Sequence, residues 1–352
     1  MQIRSLRLLD FRNYRALSYL PSERLNVLTG RNAQGKSNLL ESIGFLIAGR
    51  SFRTPRLAEL PRWGVNSSLI EGELRRGDGT RKLRRTIQQL EDGTWQVSAD
   101  GCDWARAIAF GWHDLAILTG GPAARRAFLD GFAGRLHPGH LAALVRYRQF
   151  LERRSALLKR GEADRLAPWD EALAGVGIEL LKRRRAAAGA LQTELARIYP
   201  MLAGEGGSGV KTEISYRSTL GEATAPAEFV AALERRRGEE LRRKQTMVGP
   251  HRDDLLIELD GIDARVFASR GQQRLLALAL RLAEVLPVTE ATGTPPVLLL
   301  DDALSELDPQ VQASVLREVR SLAQVFLTTA GGPLPVADAT TIEVQGGGLV
   351  AV

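Results

Sequence analysis

The segment Gly30-Arg31-Asn32-Ala33-Gln34-Gly35-Lys36-Ser37 fits the pattern G-x-x-x-x-G-K-[ST], in which each residue type has a task at a phosphate. Glycines let backbone N–H groups close on phosphate oxygens, and a helix starting behind them adds partial positive charge. Lys36 reaches the β- and γ-phosphates, and the Ser37 hydroxyl ligates Mg²⁺. Arg31, Asn32, Ala33, Gln34 and Asn38 complete the expected cradle. Far along the chain, Val297-Leu298-Leu299-Leu300-Asp301-Asp302 sets two carboxylates at the end of an apolar run. Asp301 is expected to hold Mg²⁺, directly or through water, and Asp302 to orient or deprotonate an attacking water. Together the two segments predict a chain that binds ATP with Mg²⁺ and hydrolyses it.

A third segment, Ser269-Arg270-Gly271-Gln272-Gln273-Arg274, resembles the Ser-x-Gly-Gln signature of ABC-type ATPases. There the serine and a helix N-terminus face the γ-phosphate held by a second protomer, which makes Ser269, Gly271 and Gln272 nucleotide contacts in trans and Ser269 a catalytic candidate. The same hexapeptide also reads as an ordinary helix cap. Ser305-Glu306-Leu307-Asp308 resembles the D-loop of the class and also suits the start of a helix at Pro309. Thr328-Thr329 stands at the switch position, where a hydroxyl can sense the γ-phosphate or simply end a strand.

These segments need elements to hold them. Alternating apolar residues predict strands over residues 1–28 ending at Leu25–Leu28, and a helix from about Lys36 to Ala48. Residues 68–98 read as short antiparallel strands with turns at Gly77-Asp78-Gly79 and Asp92-Gly93. From about Arg125 to Ile198 the pattern is helical and charged, residues 201–209 read as a glycine-rich turn, and Ala225–Arg243 is helical again. After that come a strand at Leu255–Leu259, helices over Gln272–Leu286 and Pro309–Leu322, strands at Val297–Leu300 and Val325–Leu327, and a hairpin within Thr341–Val352. The expected architecture is an α/β P-loop ATPase head with an antiparallel β-subdomain and an inserted helical lid or arm. Its divisions are 1–130 (P-loop and β-subdomain), 131–245 (arm) and 246–352 (signature and carboxylates).

Lys36 and Asp301 lie 265 residues apart. Transporter ATPase subunits place these motifs much closer, so a long basic helical insertion argues against that class and matches the plan of SMC-like DNA repair ATPases with a shortened arm. Charge is unevenly spread over the 352 residues. Residues 1–140 carry 21 Lys and Arg against 13 Asp and Glu, and residues 141–245 carry 20 against 14. Residues 246–352 reverse this, with 7 against 14. The first two-thirds can attract a polyanion, and the acidic remainder suits a metal–nucleotide site. The 42 arginines against 6 lysines equally fit surface Arg set by codon usage. Arg153 and Arg154, and Lys182, Arg183 and Arg184, are candidate DNA phosphate contacts on the arm, and Arg50 and Arg53 on the head. A solvated helix face is the alternative. One cysteine, Cys102, no 20-residue apolar run and no signal-like start lead us to expect a cytoplasmic chain without disulfide or membrane span. His137 and His140, separated by Pro138-Gly139 with no third ligand near, do not read as a metal site.

The chain resembles the RecF family of bacterial DNA replication and repair proteins nearly end to end. The resemblance rests on Phe11-Arg12-Asn13-Tyr14, Gly30–Glu41, Gly49-Arg50-Ser51-Phe52-Arg53, Gly121-Pro122 with Arg125–Asp130, and Ser269–Arg274 through Ser305–Asp308. Most specific is Gly249-Pro250-His251-Arg252-Asp253-Asp254. It implies an ATP-dependent homodimer that binds double-stranded and gapped or junction DNA, works with RecO and RecR in recombinational gap repair and replication restart, and hydrolyses ATP slowly as a release step. The sequence departs from the family at Trp112-His113-Asp114, where Pro-Glu-Asp is usual, and at Asp302, where ATPases of this class usually carry Glu. The shorter acid keeps open a DNA scaffold that binds ATP without meaningful turnover.

Overall fold

The computed structural model describes residues 1–204, 209–322, 324–330 and 339–351. The chain opens with strands β1 (Gln2–Phe11), β2 (Tyr14–Tyr19) and β3 (Leu25–Thr29), then helix α1 (Lys36–Ala48). Four strands follow, β4 (Ser67–Arg76), β5 (Gly79–Gln89), β6 (Trp95–Ala99) and β7 (Ala107–Phe110). Helices α2 (Ala116–Thr119), α3 (Pro122–Leu136), α4 (His140–Arg160) and α5 (Ala167–Ala203) come next, then β8 (Thr212–Arg217) and α6 (Pro226–Arg243). Beyond them lie β9 (Asp254–Leu259), β10 (Ile262–Asp263), α7 (Ala264–Phe267), α8 (Arg270–Leu282) and α9 (Val285–Thr292). The last elements are β11 (Val297–Leu300), α10 (Pro309–Leu322), β12 (Val325–Thr328), β13 (Ala339–Gln345) and β14 (Gly348–Ala351). No helix among the described residues is long and apolar enough to cross a membrane.

The chain forms two compact units. The first holds Met1–Leu115, Arg274–Val352 and a short segment beginning at Ile198. It contains a six-stranded sheet in the order β14-β13-β3-β12-β11-β7 and a five-stranded sheet in the order β2-β1-β4-β5-β6. In the six-stranded sheet β13, β3, β12, β11 and β7 run parallel. Strands β3, β11 and β12 are buried along their whole length; β11 is an unbroken apolar run, as suits a strand covered on both faces, while β3 and β12 also bury Asn26, Thr29 and Thr328. The five-stranded sheet is antiparallel, and the in–out alternation of β4 marks a sheet with one covered face. Leu39, Leu40, Ile43 and Phe45 of α1 belong to one core with Ile70 and Leu83 of that sheet and Leu299 and Phe326 of the parallel one.

The second unit holds Ala116–Arg197 and Gly209–Gln273. Its helices enclose a separate core around Tyr147, Leu173, Ile178, Leu181, Phe229 and Leu233. The division differs from the expected three segments. Residues 116–130 belong with the arm, and so does the stretch up to Gln273, because β9 pairs along its length with β8. Strands β7 and β8 are short and were not foreseen. The helix expected over Gln272–Leu286 is two, α8 and α9, and the expected turn at 201–209 falls mostly on residues outside the described set.

Buried arginines tie the second unit together. Arg154, fully buried, donates from Nε to Asp170 Oδ1 at 2.5 Å, from Nη2 to Glu240 Oε2 at 2.7 Å and from Nη1 to Thr246 Oγ1 at 2.8 Å. Arg184 grips both oxygens of Asp130 at 2.7 Å and donates to the Pro250 carbonyl at 2.6 Å. His140 Nε2 meets the same Asp130 at 2.9 Å. Asp130 is held below the usual carboxylate range by these bonds, against the opposing pull of burial. Each guanidinium has carboxylate partners, so removing one member strands a buried charge. Arg154→Ala is therefore expected to destabilise the protein by about 3–5 kcal/mol, read as a lowered urea midpoint with an unchanged slope.

Candidate functional site

The parallel register brings the chemically loaded residues together. Leu28 lies opposite Thr328, Leu300 opposite Leu327, and Leu300 also opposite Phe110. The residues just past these strand ends therefore crowd one edge of the sheet, the edge where open α/β sheets bind ligands. They are Gly30–Ser37 after β3, Gly111–Leu115 after β7, Asp301-Asp302 after β11 and Thr329 after β12. A cleft of about 380 Å³ opens there, lined by Asn32, Ala33, Gly35, Lys36, Ser37, Asn38, Arg53, Trp112, Arg274, Asp301, Asp302, Thr328 and Ala330.

The phosphate loop is shaped by its glycines and by what lies behind them. Gly30 and Gly35 have φ of +127° and +116°. A Cβ on Gly30 would stand 2.5 Å from the Val344 carbonyl oxygen, and one on Gly35 would stand 2.5 Å from Asn13 Nδ2. The loop is thus wedged between the turn after β1 and the hairpin β13–β14. Asn13 Nδ2 donates to the Gln34 carbonyl at 3.0 Å and Tyr14 Oη to the Gly35 carbonyl at 3.0 Å. From the other side the Gly346 amide donates to Gln34 Oε1 at 2.8 Å. Helix α1 carries no side-chain cap and no acid in its first turn, so its leading N–H groups are left for an anion.

Lys36 folds back over the loop and donates to the carbonyls of Gly30 at 2.5 Å and Arg31 at 2.9 Å. Burial holds its ammonium below the usual lysine range, with Asp302 and Asp301 pulling the other way. Ser37 Oγ donates to Asp301 Oδ1 at 2.7 Å. Two hard oxygens on two elements are a fitting share for Mg²⁺, which keeps waters and substrate phosphates as its other ligands. Among the described residues no cluster of three or more His, Cys, Asp or Glu offers an all-protein metal cage. When bound, the ion would lie on Ser37 and Asp301 and neutralise charge building on the phosphates.

Asp302 takes φ +52°, a left-handed conformation that costs a non-glycine residue about 1–3 kcal/mol. Its side chain is 57% exposed, beside the cleft. Its amide donates to Thr328 Oγ1 at 2.8 Å, and Thr328 Oγ1 donates to Asp301 Oδ1 at 2.8 Å. Arg274, nearly buried, bonds the Asp302 carbonyl and Ser305 Oγ. The sequence reading gave Arg274 no role of its own. Its only signal was a basic residue four positions into an apolar helix.

Arg53 is held against helix α1. Its Nη1 donates to Asn38 Oδ1 at 2.7 Å and meets the buried Glu41 at 3.1 Å, while Arg12 grips Glu41 at 2.9 and 2.8 Å. Arg53 thus lines the cleft. Arg50 is exposed. In the neighbouring loop Asp114 accepts the Gly111 amide at 2.9 Å and is paired to Arg281, so it anchors that loop. His113 stacks on Phe52 at 6.0 Å between ring centres, and its pKa is lowered by burial. Trp112 stands 75% exposed at the cleft mouth.

Ser269, Gly271 and Gln272 belong to the second unit and are exposed at the start of α8. The Ser269 amide donates to Gln272 Oε1 at 2.9 Å and the Gln272 amide to Ser269 Oγ at 3.3 Å, a reciprocal capping box. The hexapeptide is thus a helix cap whose Ser269, Gly271 and Gln272 remain exposed. Of the basic candidates in this unit, Arg153 and Lys182 are exposed, and Arg183 is paired with Glu179 at 2.5 Å. Arg154 and Arg184 lie in the interior with carboxylate partners and cannot reach a DNA phosphate.

The family model described as RecF/RecN/SMC N terminal domain matches residues 2–334. The DNA replication and repair protein RecF of Anaeromyxobacter sp. (strain Fw109-5) is 37% identical over 368 residues, covering 99% of this chain and 98% of that protein. The protein of the same name from Pelotomaculum thermopropionicum is 38% identical over 350 residues, 93% of each chain. A solved structure of the recombination mediator protein RecF with ATP, from the RecFOR pathway, matches with a TM-score of 0.87 and 29% identity over 100% of this chain and 97% of its own. An Smc head bound to the C-winged helix domain of ScpA shares the fold, with a TM-score of 0.57 at 16% identity.

The clash at Gly35 gives a direct check on the cradle. Gly35→Ala is expected to weaken ATP binding by at least about tenfold, measured by titration with a fluorescent ATP analogue, because the new Cβ and the positive φ displace the loop from its phosphate-binding shape.

Proposed function

Because this chain belongs to the RecF family of DNA replication and repair proteins, we propose that it is an ATP-driven clamp on duplex DNA. The observation that carries the proposal is the 2.7 Å bond between Ser37 and Asp301, which joins the two halves of a Mg²⁺–triphosphate site across 264 residues of sequence. ATP lies on the loop Gly30–Ser37 with Lys36 on its terminal phosphates, and the exposed Ser269-Arg270-Gly271 of a second copy closes over it. Two nucleotides then hold two copies together head to tail, each completing the other's site. Asp302 orients the attacking water, hydrolysis is slow, and product formation lets the pair open.

The closed pair holds DNA through phosphate contacts, for which Arg153 and Lys182 are the exposed candidates on the arm and Arg50 on the head. In this reading the chain acts in the cytoplasm at gaps and single-strand/double-strand junctions, with RecO and RecR as partners, in recombinational repair and replication restart. A second reading, a DNA scaffold that binds ATP without turnover, draws support from Asp302, whose short side chain is more than half exposed.

Turnover measured over a range of protein concentrations, with and without duplex DNA, tests the clamp. A rate that climbs more than linearly with protein, increases with DNA and vanishes in Lys36→Arg and Ser269→Arg is the expected result. A linear rate untouched by Ser269→Arg would mean a monomeric ATPase. Single-turnover decay equal in wild type and Asp302→Asn would favour the scaffold. For DNA, Arg153→Ala or Lys182→Ala is expected to flatten the slope of log affinity against log salt by about 1 each, with no change in sequence preference, and an unchanged slope removes that residue from the DNA surface.

A further inference from the structure

We propose that Thr328 is a positioning residue for hydrolysis, fixing the backbone of Asp302 so that its carboxylate is presented to the cleft. The proposal rests on the reading that Asp302 serves the attacking water. A threonine hydroxyl has one hydrogen and two lone pairs. Here the hydrogen goes to Asp301 Oδ1 at 2.8 Å, and a lone pair takes the Asp302 amide at 2.8 Å. One side-chain atom therefore sets the distance between the Asp301 carboxylate, which with Ser37 would hold Mg²⁺, and the peptide that carries the next carboxylate.

The arrangement is needed because Asp302 sits at φ +52°, where an L-residue stays only if its surroundings hold it. On the amide side the holder is Thr328. On the carbonyl side, Arg274 and Ser305 both donate to the Asp302 oxygen. Register places Thr328 opposite Leu28, two residues before the loop begins at Gly30, so the hydroxyl is carried by the central strands. Ser37 Oγ competes for the same Asp301 oxygen at 2.7 Å. Thr328 keeps that carboxylate aimed when Ser37 turns to another ligand. In this role the Thr328 hydroxyl does not sense the γ-phosphate. Both of its bonds go to the Asp301-Asp302 segment.

The test uses the full chain with Thr328→Val, which keeps the shape and loses the hydroxyl, and Thr328→Ser, which restores it. In the nucleotide-free protein, hydrogen exchange resolved at the Asp302 amide should quicken at least about tenfold in Thr328→Val and return to the wild-type rate in Thr328→Ser. ATP turnover should fall about tenfold to a hundredfold in Thr328→Val while fluorescent-ATP affinity stays within about threefold, and Thr328→Ser should recover the turnover. Arg274→Ala should lower turnover too, and add little to Thr328→Val, because both act on one peptide. Unchanged exchange in Thr328→Val overturns the positioning role of Thr328 whatever the turnover does. So does a loss of turnover that Thr328→Ser fails to restore, or one matched by an equal loss of ATP affinity. A wild-type chain that binds ATP without turnover would defeat the hydrolysis reading, and with it the catalytic role of Thr328, even if exchange shows that the backbone is held.

Discussion

The bond between Ser37 and Asp301 depends on nearly everything else in the first unit. Two residues far apart in sequence can share a hydrogen bond only if the strands that carry them end level. Strands β3, β12 and β11 do so because each is buried on both faces, and a register slip would push Leu25–Leu28, Val297–Leu300 or Val325–Leu327 out of their packing. The positions of the site residues are therefore tied to the register of the buried strands. The polar contacts then add direction: a left-handed Asp302, a lysine folded over its loop, and glycines where a Cβ has no room.

Electrostatics divides into two kinds in this molecule. In the interior, Arg154 and Arg184 meet carboxylates that they neutralise, so they serve as cross-links among helices. At the cleft, Arg53 and Arg274 are only partly compensated and stand near where phosphate charge would gather. An arginine-rich chain can use the same residue type for both because the guanidinium stays charged whether dry or wet. What differs between the two places is how closely carboxylates neutralise the guanidinium.

That distinction limits what sequence can reveal. The phosphate loop and the Asp301-Asp302 pair were legible because their chemistry is local and their elements are regular: α1 and α10 begin and end where periodicity and Pro309 place them. Arg153-Arg154 and Lys182-Arg183-Arg184 read as basic clusters, yet each splits between exposed and buried positions. Asp130 lies 54 residues from Arg184, and Glu240 lies 86 from Arg154, so neither pairing has a local signal. Strand β7 is four small and apolar residues, too short to show a period, although it delivers the loop with Trp112 and His113. The tie of Arg53 to Glu41 has no local signal either, because the helix face that brings them together is defined only by packing.

The phosphate loop is braced on one flank by Asn13 and Tyr14 and on the other by Val344 and Gly346. The shape of the loop therefore depends on segments from both ends of the chain, and a change in either brace moves the same few backbone groups.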